Sequence, residues 1–230
     1  MQALKANNLK PLMLKSLLEG KPVILPLKPR HEMTPAELKE LDHYFMQATC
    51  GEPDAEFITG LCCFAGYGTS KDYQSAVKWY LKASSQGHMM AEYNLGACYA
   101  GGLGVQKSFV KSAKWYRLAA EKGHAPAQFN LGCRYYAGEG VPQSDLKAVH
   151  WWEKSAHQGY AYALIMLADC HLQGRGGFQE AAAEAYAILT SLGREMPEAT
   201  SRIEKIVNKA TKTELDKYQA RAEAFAMRNK

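Results

Sequence analysis

Residues 91–126 read AEYNLGACYAGGLGVQKSFVKSAKWYRLAAEKGHAP, and residues 127–162 read AQFNLGCRYYAGEGVPQSDLKAVHWWEKSAHQGYAY. Laid under one another they align without a gap, and residues 55–90 align above them. Ala55, Ala91, Ala127, Ala163 and Ala199 stand 36 residues apart. Trp79, Trp115 and Trp151 keep that spacing, as do Gly60, Gly96 and Gly132, and Gly51, Gly87, Gly123 and Gly159. A Gly-x-Gly pair recurs as Gly66/Gly68, Gly102/Gly104, Gly138/Gly140 and Gly174/Gly176. A fixed period of this length marks stacked units, none of which buries its apolar face alone.

Each unit reads as two helices. In the second, Ala91, Leu95, Cys98 and Tyr99 fall at helical spacing and form one apolar face. The Gly-x-Gly pair ends that helix, because glycine accepts the positive φ of a tight exit. A second helix follows, with Ala113, Tyr116, Ala119 and Ala120 inward and Gly123 at its end. Gly96 and its equivalents sit in mid-helix, where glycine is disfavoured by about 1 kcal/mol against alanine. Close helix–helix approach, with no room for a methyl group, is the expected compensation.

The order A-x3-L-G-x2-Y-x2-G-x-G-V, then A-x2-W-Y-x2-A-A-x2-G, resembles the Sel-one-like repeat, a relative of the tetratricopeptide repeat with a longer turn. Ala91, Leu95, Gly96, Tyr99, Gly102, Gly104, Val105, Trp115, Tyr116 and Gly123 carry the match in the second unit. Ala127, Leu131, Gly132, Tyr135, Gly138, Gly140, Val141, Ala148, Trp151, Trp152 and Gly159 carry it in the third. The first unit departs at Thr59 and Thr69. The fourth has Ala168 for the helix glycine, lacks the tryptophan, and is about two residues shorter before Gly193. The resemblance implies an all-α, right-handed α/α superhelical solenoid of four repeats over residues 51–194.

The flanks read as caps. Residues 1–50 form an N-terminal extension and an incomplete first unit. Its helix starts with Thr34 as N-cap, Pro35 at the first helical position, Glu37 three residues after the cap, and Met33 against Leu38. Upstream, Leu9–Glu19 reads as a helix, and residues 21–30, with three prolines, as an extended connector. Residues 195–230 read as a half-repeat from Pro197 and a capping helix with Leu215, Tyr218, Ala222 and Phe225 inward.

Composition excludes several classes. With 47% hydrophobic and 22% charged residues the chain is not a disordered polypeptide. No window approaches the ~18 apolar residues of a membrane span, and Lys5, Lys10 and Lys15 break any signal-peptide core, so a cytoplasmic location is expected. The net charge of +5 comes from 28 basic and 23 acidic residues. Residues 1–50 carry 7 basic and 5 acidic, 51–194 carry 13 and 12, and 195–230 carry 8 and 6. That spread shows no nucleic-acid stripe.

No catalytic motif is present: there is no H-E-x-x-H, C-x-x-C, phosphate-binding glycine loop or G-x-S-x-G. The Gly-x-Gly pairs follow helices rather than strands and serve as turns. Cys62, Cys98 and Cys170 share a repeat position, about a helix-packing distance apart and too far for a disulfide. They read as reduced core thiols, with Cys133 one residue off register and Cys50 outside the pattern and partly exposed. His88 and His124 follow the repeat-ending glycines, where Tyr160 replaces them, and read as repeat features. Asp169, Cys170 and His171 are consecutive and point about 100° apart on a helix, so they do not chelate one metal. No cofactor and no metal are expected.

Function is then expected from a surface. By the resemblance, the first helix of each unit lines a concave groove at positions two, six and nine after each starting alanine. These are Phe57, Leu61 and Phe64; Tyr93, Ala97 and Ala100; Phe129, Cys133 and Tyr136; and Ile165, Asp169 and Leu172. The aromatics Phe57, Tyr93 and Phe129 either stack on a partner or pack between helices. Lys107, Lys111, Lys114 and Arg117 form a basic patch, either a solvated face or a docking site for an acidic partner. The family implies a non-catalytic scaffold binding a protein or peptide, with a regulatory or effector-related role in a bacterium. The alternative is a regulatory subunit of an enzyme, or an enzyme with its chemistry in the N-terminal segment. Neither nucleic acid nor membrane is expected as a partner. The N-terminal segment is free to fold over the groove, dock a partner or pair two copies, leaving monomer and homodimer both open.

Overall fold

The computed structural model describes residues 29–179, 181–193 and 196–228. The expected helix over Leu9–Glu19 and residues 21–28 of the connector lie outside them. Among the described residues there are eleven α-helices and no strand. The chain divides into two compact units, one running to His124 and the other from Ala125.

The first unit opens with a 3-10 turn, Arg30–Glu32, then α1 (Pro35–Thr49), α2 (Pro53–Ala65), α3 (Tyr73–Ser85), α4 (Met89–Gly101) and α5 (Phe109–Glu121). The start of α1 is the capping box read from the sequence. Thr34 Oγ accepts from the Glu37 amide, and the Glu37 carboxylate accepts from the Thr34 amide at 2.7 Å. Helices α2 and α3 pack as an antiparallel pair, as do α4 and α5, and each pair packs on its neighbour. The mid-helix glycines set the approach within a pair. A Cβ on Gly60 would lie 2.6 Å from the Tyr80 ring, and one on Gly96 would lie 2.5 Å from the Tyr116 ring. No ordinary contact is that short, so only glycine fits.

The turns repeat bond for bond. Gly102 ends α4 at φ 72°, and the Cys98 carbonyl accepts from the amides of Gly102 and Leu103. The second glycine, Gly104, lies against the next-door backbone: a Cβ there would stand 2.2 Å from the Tyr73 carbonyl oxygen. The chain then re-enters helix through a capped residue. The amides of Asp72 and Ser108 donate to the carbonyls of Cys63 and Tyr99 at 2.8 and 2.9 Å. Their side chains accept from the first turns of α3 and α5.

The second unit contains α6 (Ala125–Ala137), α7 (Asp145–Ala156), α8 (Ala161–Gln173), α9 (Ala182–Ser191), α10 (Pro197–Val207) and α11 (Lys212–Arg228). Trp152 plays the part of Tyr116, its ring 2.5 Å from where a Cβ on Gly132 would stand, and its indole N–H donates to the Phe129 carbonyl at 3.2 Å. Ser144 caps α7 as Ser108 caps α5. The fourth repeat breaks this pattern. Ala181, with no side-chain oxygen, stands at the start of α9 one residue late, and α9 has 10 residues where α7 has 12. The shortening expected from the sequence is thus a longer turn followed by a shorter helix. Tyr218 and Phe225 of α11 pack on the core formed by α8, α9 and α10. Arg221 reaches Glu184 at 2.6 Å.

The cysteines sit where the repeat places them. Burial pushes the thiols of Cys62 and Cys98 up to about 12 and those of Cys133 and Cys170 up to about 11, so they stay protonated. Cys50, at the C-cap of α1, is exposed.

Candidate functional site

The expected groove residues fall into two groups. Phe57 is only 2% exposed; it stacks on His88 with ring centres 4.6 Å apart and also meets Tyr80. Leu61 and Ile165 are likewise buried. These three are core residues, which corrects their placement on a partner surface: helix packing, not a groove, accounts for them. Phe64 is half-buried against Tyr73. In the first unit Tyr93 is half-buried, wedged between Tyr116 and His124.

The histidines after the repeat-ending glycines are structural, as expected. His88 Nδ1 accepts from the Ala91 amide and so caps α4, while its Nε2 lies 3.3 Å from Asp54. Burial lowers the His88 pKa, with Asp54 opposing, and burial takes His124 down to about 4.

The second unit keeps more of its first-helix residues near the surface. The Phe129 ring on α6 has its centre 5.3 Å from that of Tyr160 and 6.2 Å from that of Tyr162, and the centres of the two tyrosine rings are 5.9 Å apart. Tyr162 is 47% exposed. The sequence reading passed over Tyr162. Its signal was available, since the same repeat position holds Asp54, Met90 and Pro126, none of them aromatic.

Further along the same helix, Tyr136 packs against Trp152 and lies under the Arg175 guanidinium at 4.3 Å. Arg175 donates to both carboxylate oxygens of Asp145, at 2.9 and 3.0 Å, and to the Tyr136 hydroxyl. Hydrogen bonding to Asp145 raises its pKa further. Asp169, the one acid in the expected groove, is held by Arg202 in a two-pronged pair at 2.8 Å for each bond. Both carboxylates are therefore engaged by fixed guanidinium groups, an arrangement that orders a surface rather than one poised to move protons. An open depression of about 580 Å³ is lined by Gln143, Ser144, Asp145, Leu146, Gly176 and Gly177. Among the described residues no three His, Cys, Asp or Glu side chains are grouped as a metal ion requires, and no helix is long and apolar enough to cross a membrane.

The basic patch is built on aromatic rings. Lys107 Nζ lies 4.7 Å from the centre of the Phe109 ring and Lys111 Nζ 5.3 Å from that of Tyr99. Lys114 and Arg117 are exposed. A further polar series escaped the sequence reading. The first helix of each pair buries Glu56, Glu92 or Gln128, and the residue ending the second helix reaches it: Gln86 at 3.0 Å, Lys122 at 2.5 Å and Gln158 at 2.8 Å. The 36-residue spacing was visible in it, but the residue types change from repeat to repeat.

The chain is similar to known repeat proteins. The Sel1 repeat model matches residues 53–88, 90–124, 125–160 and 161–189, which are the four helix pairs from α2–α3 to α8–α9. Among solved structures, the Sel1 repeat protein from Oxalobacter formigenes is 28% identical with a TM-score of 0.68, over 73% of this chain and 69% of that one. The protein c5321 of uropathogenic Escherichia coli, described as a protective antigen displaying an SLR fold, is 31% identical with a TM-score of 0.64 over 70% of this chain. The match spans 33% of the E. coli protein's length. No curated protein matches the chain. The helix pairs have the all-α superhelical repeat fold of these neighbours. With four matched repeats over more than half its length, the chain belongs to the Sel1 repeat family.

Proposed function

We propose that this chain is a non-catalytic interaction scaffold whose second unit holds a polypeptide segment against its first-helix face. Sel1 repeat proteins generally mediate protein–protein interaction and are generally non-enzymatic. One observation carries the site: Tyr162, half-exposed, stands with Phe129 and Tyr160 in a single cluster of rings. Large rings already held by packing lose little freedom when a partner side chain covers them, and such residues dominate interface energies. Two helical turns further along α6 and α8, Tyr136 meets the Arg175–Asp145 pair and Asp169 is held by Arg202, which supplies a fixed polar margin. An apolar side chain of the partner seats on the rings, and the polar margin orients the segment.

The test is selection of a displayed random-peptide library on the full chain, followed by binding of the enriched peptides to Tyr162→Ala. Enriched peptides that lose binding to this folded variant support the reading. Failure to enrich any peptide over bare support, or binding that persists in Tyr162→Ala, refutes it.

A further inference from the structure

The charge of the chain is not evenly spread at finer scale. Residues 71–122 hold eight basic and three acidic residues, a net of +5 that equals that of the whole chain. Over residues 51–194 as a whole this excess is nearly cancelled by acids in residues 51–70 and 123–194. Two of the three acids are internally engaged: Asp72 caps α3 and Glu92 is buried against Lys122.

The cations lie on the second helices of the first unit and on the turns leading into them. Lys78 on α3 and Lys114 on α5 occupy the same repeat position, and both are exposed. Helices α3 and α5 both pack on α4. Exposed Leu81, Val110 and Leu118 stand among these cations. The repeat fold itself does not require them: in α7 and the turn before it, the positions of Lys107, Lys114 and Arg117 hold Gln143, His150 and Glu153.

We infer that this second-helix face of the first unit is a docking surface for an acidic polypeptide segment carrying aliphatic side chains between its carboxylates. It is separate from the ring cluster of the second unit, and its test does not depend on that site. Several of its cations are anchored. Lys71 lies over Tyr73, Lys82 over Trp79, Lys107 over Phe109 and Lys111 over Tyr99, at 4.2 to 5.3 Å from the ring centres. Anchored side chains lose less freedom on pairing, which suits carboxylates presented at defined positions. The same anchoring disfavours other anionic partners. Single-stranded nucleic acid binding uses open aromatic faces for stacking, and here lysines cover the Tyr73, Trp79, Tyr99 and Phe109 faces. A lipid interface takes up exposed aromatic side chains, whereas Trp79 and Trp115 pack against the protein core.

The experiment titrates the full chain into a fluorescein-labelled amphipathic Glu/Leu peptide. A Glu/Ser peptide of equal charge, phosphatidylserine-containing vesicles and oligothymidylate serve as comparators. The Glu/Leu peptide is expected to bind more tightly than the three comparators. The double reversal Lys78→Glu with Lys114→Glu is expected to weaken that binding by about tenfold or more, while Lys78→Arg with Lys114→Arg retains it. Leu118→Ser is expected to close the gap between the Glu/Leu and Glu/Ser peptides. Unchanged binding by the reversed variant overturns the inference, as does tighter binding of vesicles or oligothymidylate, or absence of peptide binding at low ionic strength.

Discussion

Replacing Gly96 with alanine adds one methyl group to α4 at the point where Tyr116 crosses it. The added carbon would lie 2.5 Å from Tyr116 Cδ1, 2.6 Å from Cε1 and 3.0 Å from Cγ. Carbon atoms in ordinary contact stand about 3.5–4.0 Å apart, so the overlap is about 1 Å at two ring atoms and about half that at the third. Two effects compete. Alanine favours the helix by about 1 kcal/mol over glycine. Overpacking a filled interior is unfavourable by about 1–3 kcal/mol, and the upper part of that range applies because the Tyr116 ring is itself buried. A net destabilisation of about 1–2 kcal/mol follows, or several degrees in Tm for a chain of this length. The assay is thermal unfolding followed by circular dichroism, in wild type and in a Tyr116→Ala background. Without the ring the overlap vanishes, so Gly96→Ala is expected there to stabilise by up to about 1 kcal/mol. A Tm raised by Gly96→Ala in the wild-type background refutes the close-approach reasoning.

Four further outcomes are expected. Phe57→Ala should destabilise by about 3–5 kcal/mol as a core truncation, whereas Tyr162→Ala should stay within about 0.5 kcal/mol; urea unfolding of both variants checks this. The folded pKa values of His88 and His124 lie below the ordinary value of about 6.5. As pH falls from 6.5 the unfolded chain takes up these protons first, so stability is full above that value and declines toward about 4, the pKa of His124; unfolding measured across that range should show the decline, and His124→Gln should reduce it. Lys122→Met leaves the buried Glu92 carboxylate without its cation and should destabilise by about 2 kcal/mol, less than for a fully buried pair because Lys122 reaches solvent; the double change to glutamine, copying Gln128–Gln158, should recover much of the loss in the same assay. Alkylation of the native protein, read by intact mass, should modify Cys50 and spare Cys62, Cys98, Cys133 and Cys170 until the chain is unfolded.

The helical framework was legible because its causes are local. Glycines at a fixed spacing marked the helix ends, and Gly96 in mid-helix announced a close neighbour, which is the Tyr116 ring. Thr34 and Glu37 announced the start of α1. The site was less legible because both sides of a first helix meet other atoms, and a repeat consensus does not say which side is wet. Phe57 and Phe129 occupy the same repeat position, yet Phe57 lies in the core while Phe129 joins a half-exposed cluster. The difference comes from neighbours: His88 covers Phe57, and in the later repeat Tyr160 and Tyr162 stand beside Phe129. Deviations from the repeat therefore carried more information about surfaces than the repeat itself. Tyr162 has no aromatic counterpart in the other units, and Lys114 gives way to His150 one repeat later.

The most direct measurement is calorimetric titration of a library-selected peptide into wild type, Tyr162→Ala and Phe129→Leu. The ring cluster is expected to act as the anchor. Tyr162→Ala should then weaken binding by about 30-fold, the loss typical of an interface hot spot of about 2 kcal/mol, while Phe129→Leu weakens it less. Equal affinity for wild type and Tyr162→Ala would contradict the assignment of partner binding to the first-helix face of the second unit.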